Sequence, residues 1–186
     1  MKPARIVVCG APASGKTTLA RRLATDLQLP LLEQDVIKES LAEVLPMPDR
    51  AASRQIGAAS MSVLYDLADA MLARGVNTMI ESNFYAEYAA RDLVRMSRSA
   101  RVCIVQCEVD RDNVVQRYRQ RHADGERHAA HFDLDALSDL IAGLHTNIYD
   151  LTAIGYHVIA VNTDDGYQPH DREILQSILH HFVSHE

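Results

Sequence analysis

Tryptophan is absent from this chain, and phenylalanine and tyrosine together make up only 5% of it. So few planar side chains offer little surface for stacking nucleobases. Basic charge is also short: 19 Lys and Arg stand against 25 Asp and Glu, a formal net charge of −6. That balance argues against a general nucleic-acid binder, which carries a basic surface. No apolar stretch approaches the roughly 20 residues needed to span a bilayer. The run Arg5 to Cys9 leads straight into a loop motif with no signal-peptide pattern, so the expected location is cytoplasmic. The three cysteines, Cys9, Cys103 and Cys107, lie in apolar runs without a C-x-x-C pattern. They read as small buried residues rather than as a metal or redox site. Internal repeats and low-complexity tracts are missing too.

Against these absences stands one strong motif. Gly10-Ala11-Pro12-Ala13-Ser14-Gly15-Lys16-Thr17 follows the apolar run Ile6 to Cys9 and opens into an amphipathic segment with Leu19, Leu23 and Leu27 on one face. This is G-x-x-x-x-G-K-[ST] between strand and helix, the spelling and context of a phosphate-binding loop. Glycines let successive backbone N–H groups turn toward one anion, and the following helix adds its positive end. Lys16 is the residue expected to reach the β- and γ-phosphates. The Thr17 hydroxyl is the expected Mg²⁺ ligand, and Thr18 extends the loop's contacts.

Further along, strands and helices alternate. Strands are expected at Leu31–Glu33, Val76–Glu81, Arg101–Cys107 and Tyr156–Val161. Helices are expected over Lys16–Leu27, Val36–Leu45, Arg50–Arg74, Glu87–Arg98, Asp112–Arg121 and Arg172–Val183. The third of these is carried by Ile56, Val63, Leu67 and Met71, and Gly75 stops it. Leu134, Leu137, Ile141, Leu144 and Ile148 carry the strongest helical period, which Gly155 is expected to close. The alternation argues for one α/β domain over residues 1–186, with a parallel sheet covered on both faces.

Ligands of such sheets sit beyond the carboxyl ends of the strands. Asp35, after the second strand, is placed either to accept a proton from an acceptor hydroxyl or to cap the helix that begins at Val36, and both roles are compatible. Lys38, one turn on, either holds an acidic substrate or is solvated. Glu81 follows Thr78-Met79-Ile80 in the manner of a carboxylate that holds Mg²⁺ directly or through water. Contact with the acceptor, or plain exposure at a strand end, are the alternatives. Arg117, Arg119, Arg121, Arg127, His128 and His131 form a basic segment after the fourth strand. Arg117 and Arg121 share a helix face. With Gly125 as a hinge, the segment at about 117–132 reads as a lid whose arginines stabilise a transferring phosphoryl group, the alternative being a solvated basic face. The spacing of His122, His128 and His131 fits no zinc pattern.

The loop GAPASGKT, Asp35, the segment Ile80-Glu81-Ser82-Asn83-Phe84 and the R-x-x-x-R segment with Arg127-His128 together resemble small P-loop kinases. The group is the AAA-type predicted kinases, related to chloramphenicol phosphotransferase, gluconate kinase, zeta toxins and the kinase domain of polynucleotide kinase. The resemblance implies a three-layer fold with a five-stranded parallel sheet in the order 2-3-1-4-5, a lid after the fourth strand, and ATP with Mg²⁺ as cofactors. It further implies Asp35 as the acceptor base, Asn83 as a substrate-site residue and an adenine-contacting segment at Asn162 to Asp165, with Asn162 and Thr163 foremost. No N-K-x-D pattern is present, which favours ATP over GTP. The expected activity is phosphoryl transfer to a hydroxyl of a small molecule. The competing readings are a nucleotide-dependent switch without an acceptor and a nucleic-acid 5′-hydroxyl kinase. Acceptor identity and oligomeric state depend on shape rather than on motif.

Overall fold

The computed structural model describes residues 2–125 and 128–183. Five strands, β1 (Ala4–Gly10), β2 (Leu31–Glu33), β3 (Thr78–Glu81), β4 (Arg101–Glu108) and β5 (Val158–Asn162), form one sheet in the order β2-β3-β1-β4-β5. Every neighbouring pair is parallel. Among the described residues, seven α-helices connect or flank them: α1 (Lys16–Leu27), α2 (Gln34–Ala42), α3 (Arg50–Leu72), α4 (Ala86–Ser99), α5 (Arg111–Ala123), α6 (Asp133–His145) and α7 (Asp171–Val183).

The sheet is apolar on both faces, as a parallel sheet covered by helices must be. Alternation along β1 divides the core. Ile6 and Val8 turn toward α1 and α7, where they meet Leu19, Leu23, Ile174 and Ile178. Val7 and Cys9 turn to the other face and meet Leu64, Ala68, Leu93 and Met96 of α3 and α4. A third cluster, Val114, Tyr118, Leu140 and Tyr149, joins α5 to α6. The cysteines are core residues of the two sheet faces, and burial pushes the Cys103 and Cys107 thiols up to about 12, which keeps them protonated. No helix among the described residues is long and apolar enough to cross a membrane.

Three sequence expectations shift. The buried stripe of α3 is Ile56, Ser60, Leu64, Ala68 and Leu72, whereas Val63 and Leu67 are exposed. Small Ser and Ala side chains let the helix lie close on the sheet, so the larger side chains do not mark its inner face. Helix α6 ends at His145, and Gly155 follows a separate 3₁₀ turn, Thr152–Ile154. Helix α2 begins at Gln34, two residues earlier than expected. Asp35 is therefore inside its first turn, and the N-cap is Glu33, whose side chain makes no capping bond. The capping role for Asp35 is overturned. Its charge instead favours the positive end of the helix.

Candidate active site

The phosphate-binding loop is built as the motif demands. Gly10 has φ +145°, and a Cβ there would stand 2.6 Å from the Cys107 carbonyl oxygen and 2.7 Å from Ser14 Oγ. Any side chain at Gly10 would therefore push the loop away from β4. Gly15 is left-handed (φ 79°) and starts α1 as its N-cap, which leaves the first N–H groups of the helix open toward an anion. Lys16 is buried, and its Nζ donates to the Ala11 carbonyl at 3.2 Å. The same ammonium stands 3.8 Å from Glu81 Oε1.

Glu81 is the buried acid of the site, only 2% exposed. Parallel register with β1 pairs it with Val8, two residues before the loop begins. Its Oε1 accepts from the Thr17 hydroxyl at 3.3 Å. Burial pushes its carboxyl up to about 7. Lys16 opposes that rise, and Asp35 and Glu33 add to it. The exposed strand-end alternative is thus excluded by position. A hydroxyl and a buried carboxylate side by side at the start of α1 are oxygen ligands of the type a hard cation takes. These two residues fit Mg²⁺.

A cavity of about 580 Å³ opens over the loop. Its floor includes Pro12, Ala13, Gly15, Lys16, Thr17 and Thr18. Asp35 and Asn83 close it on the β2–β3 side. On the other side α5 presents Asn113, Gln116, Arg117, Gln120, Arg121 and Asp124, a polar stripe at helical spacing. The structure therefore brings Arg117 and Arg121 into the cavity wall together with Asp35 and Asn83, although these residues are far apart in sequence. Arg117 is anchored there, since its Nη2 donates to the carbonyls of Thr163 (2.7 Å) and Asp164 (2.6 Å). Arg121 lies against the Tyr118 ring, 5.3 Å from its centroid. Arg127 falls outside the described residues.

The sequence pointed to the segment Asn162 to Asp165 with Asn162 and Thr163 foremost, and within it Asp164 and Asp165 are the residues that line the cavity. Thr163 is buried, and its hydroxyl is shared between the Ser14 (2.8 Å) and Glu108 (3.1 Å) carbonyls. Asn162 turns its amide to Asp164. Bonds from Asn113, the Asp110 N–H and Asn162 hold the Asp164 carboxyl below its ordinary range. Tyr167 completes the backing of the loop by donating to the Gly15 carbonyl at 3.1 Å. Lys38 is absent from the cavity wall; its stem lies over Gly57 of α3.

His128 and His131 are seated on α2, the helix that carries Asp35. His128 Nε2 is 2.8 Å from Glu43 Oε1, and His131 Nε2 is 2.8 Å from Glu39 Oε1. Sequence reasoning missed Glu39, Glu43, Asn113, Gln116, Gln120 and Asp124. For the α5 residues a signal existed, because Asn113, Gln116, Arg117, Gln120, Arg121 and Asp124 repeat at steps of three and four.

A parallel sheet with this strand order and a phosphate-binding loop at the end of its central strand defines a P-loop nucleotide-binding fold of the small-kinase type. A family model described as an AAA domain matches residues 6–146, and the chain belongs to that family. A candidate kinase from Chloroflexus aurantiacus J-10-fl is similar at 31% identity, covering 97% of this chain and 99% of its own, with a TM-score of 0.82. A sugar kinase from Janibacter sp. HTCC2649 shares the fold at 19% identity over 95% of this chain and 92% of its own (TM-score 0.60). Shikimate kinase from Acinetobacter baumannii, solved with shikimate, shares it at 18% identity over 99% and 95% (TM-score 0.55). No curated protein matches the chain.

Proposed function

We propose that this chain is an ATP-dependent kinase that transfers the γ-phosphoryl group to a hydroxyl of a small molecule. The observation that carries the reading is that Asp35, Lys16 and Thr17 line the same cavity. A phosphate cradle alone serves a switch equally well. A carboxylate facing that cradle, with Asn83 beside it, supplies what a transfer to a hydroxyl needs. Asp35 takes the proton of the acceptor hydroxyl as its oxygen bonds to the γ-phosphorus. The bond to the β–γ bridging oxygen breaks, and ADP leaves. Lys16 and the loop amides hold the phosphates, while Arg121 faces the charge that spreads over the migrating group. Mg²⁺ at Thr17 and Glu81 would neutralise phosphate charge. The net charge of −6 and the scarcity of aromatic residues favour a small acceptor over a polynucleotide end.

The test is ATP consumption across a panel of hydroxyl-bearing sugars, hydroxy acids, nucleosides and antibiotics. With the acceptor found, Asp35→Asn should keep ATP affinity and lower kcat about 10²-fold or more, the scale of a lost general base. Turnover at the wild-type rate in that variant would remove Asp35 from the chemistry. A panel that yields only slow, acceptor-independent hydrolysis would favour the switch.

A further inference from the structure

Asp35 has a buried imidazole behind it. His131 ends the 3₁₀ turn Ala129–His131, and its side chain is only 6% exposed. Its Nε2 is 2.8 Å from Glu39 Oε1, and its Nδ1 is 4.0 Å from Asp35 Oδ1. Glu39 stands four residues after Asp35 on α2, so one helix face directs two carboxylates at the two nitrogens of one ring. An ionised carboxylate only accepts, so the short contact to Glu39 fixes a proton on Nε2 and turns Nδ1 to Asp35. A second proton, on Nδ1, converts the longer contact into attraction between a cation and the Asp35 carboxylate.

The surroundings hold the ring in place. On α3 the Ser53 hydroxyl donates to the Ala130 carbonyl at 2.7 Å, and its neighbours Arg50 and Arg54 are turned to Asp139 of α6. From the turn itself, His128 accepts from the Ala130 N–H through Nδ1 and meets Glu43 of α2 through Nε2. Two α2 carboxylates, Asp35 and Glu39, are among the charged groups at this ring.

We propose that Glu39 and His131 are positioning residues for Asp35, with Glu39 fixing the ring and the ring holding the Asp35 carboxylate toward the cavity. This role rests on the reading of Asp35 as the acceptor base, but the coupling among the three side chains does not.

Two measurements on the intact chain separate those points. The first is a ¹⁵N NMR titration of the imidazoles without nucleotide, with the His131 signals identified by their loss in His131→Gln. Asp35→Asn and Glu39→Gln should each lower the His131 midpoint by about one pH unit, as removal of a carboxylate within ~4–6 Å does. An unchanged midpoint in Asp35→Asn overturns the proposal. The second is hydrolysis of MgATP with water as the acceptor. His131→Gln and Glu39→Gln should each slow it about 10-fold with ATP affinity kept, the lower range for a step that depends on a placed base. Adding His131→Gln to Asp35→Asn should slow it no further. A full additional loss in the double variant overturns the proposal, because the two residues would then act independently. If Asp35→Asn leaves hydrolysis intact while the NMR coupling is present, the base reading fails and the linkage among the three side chains stands.

Discussion

The two halves of the cavity are held by different kinds of contact. On the nucleotide side, side-chain donors close on backbone carbonyls: Thr163 on Ser14 and Glu108, Tyr167 on Gly15, and Arg117 on Thr163 and Asp164. On the acceptor side, side chains meet carboxylates: His128 with Glu43 and Arg50 and Arg54 with Asp139 near solvent, and the buried His131 with the partly exposed Glu39. Buried neutral bonds change little with pH or salt, whereas partly exposed ionic contacts respond to both. The phosphate cradle is thus held by contacts that pH and salt alter little, and the acceptor side by contacts that both can weaken. A site that must hold one constant ligand and admit a second is well served by that division.

The sharpest break of the nucleotide half is Lys16→Ala. ATP affinity and turnover should fall together, turnover by about 10²–10³-fold, the cost of losing a preorganised phosphate-facing charge. Equilibrium ATP binding and steady-state rates measure both, and unchanged affinity would count against the phosphate-binding assignment.

Glu81 lies where the halves meet, and its effect is on stability. Its carboxyl is raised from an ordinary 4.5 to about 7, so between those values the folded chain holds a proton that the unfolded chain has released. Its contribution to stability is fully present below about pH 4.5 and is lost as pH rises toward 7, on the order of 3 kcal/mol in all. Glu81→Gln should flatten that slope in denaturant melts of the ligand-free protein at about pH 5 and pH 8. A slope that survives the substitution would assign it to other groups.

Thr163→Val keeps the shape of the backing residue and takes the hydroxyl donor from the buried Ser14 carbonyl, while the Glu108 carbonyl keeps the backbone N–H of residue 163. Unfolding free energy should drop by about 1–3 kcal/mol. A loss no larger than that of an exposed substitution would remove the contrast between the two halves. Smallest of all, Glu43→Gln cuts an ion pair whose carboxylate is 71% exposed. It should cost under about 1 kcal/mol by the same measurement, since exposed pairs contribute little. A larger loss would mean that the acceptor side is held as firmly as the nucleotide side.

Much of the fold could be read from the sequence. The phosphate-binding loop, the β–α alternation, the extents of α1 and β2, and the acid ending β3 all follow from local patterns. The inner face of α3 did not, because Ser60 and Ala68 are buried by close helix–sheet approach while Val63 and Leu67 stay outside. Nor did the end of α6, where the apolar period runs on through Ile148 into the loop and packs there without continuing the helix. In the site, Asp35 and Asn83 were legible from their place after strands. The segment Asn162 to Asp165 was legible too, but which of its residues form the wall was not. It depends on which side chains the loop spends on its own anchoring.

By itself the sequence determined the phosphate cradle, because eight consecutive residues supply the backbone groups, the lysine and the hydroxyl that make it, and their geometry is local. Tertiary structure alone decided what surrounds Asp35. His131 and Glu39 are 92 positions apart, and only the packing of the segment after α5 on α2 and α3 brings the imidazole between two carboxylates. The same holds for Glu81, an acid of ordinary type that burial beneath Lys16 and Thr17 turns into a group titrating near neutrality. Residue type sets which chemistry is available, but desolvation and neighbouring charge set which of it operates, and both are properties of the packed molecule.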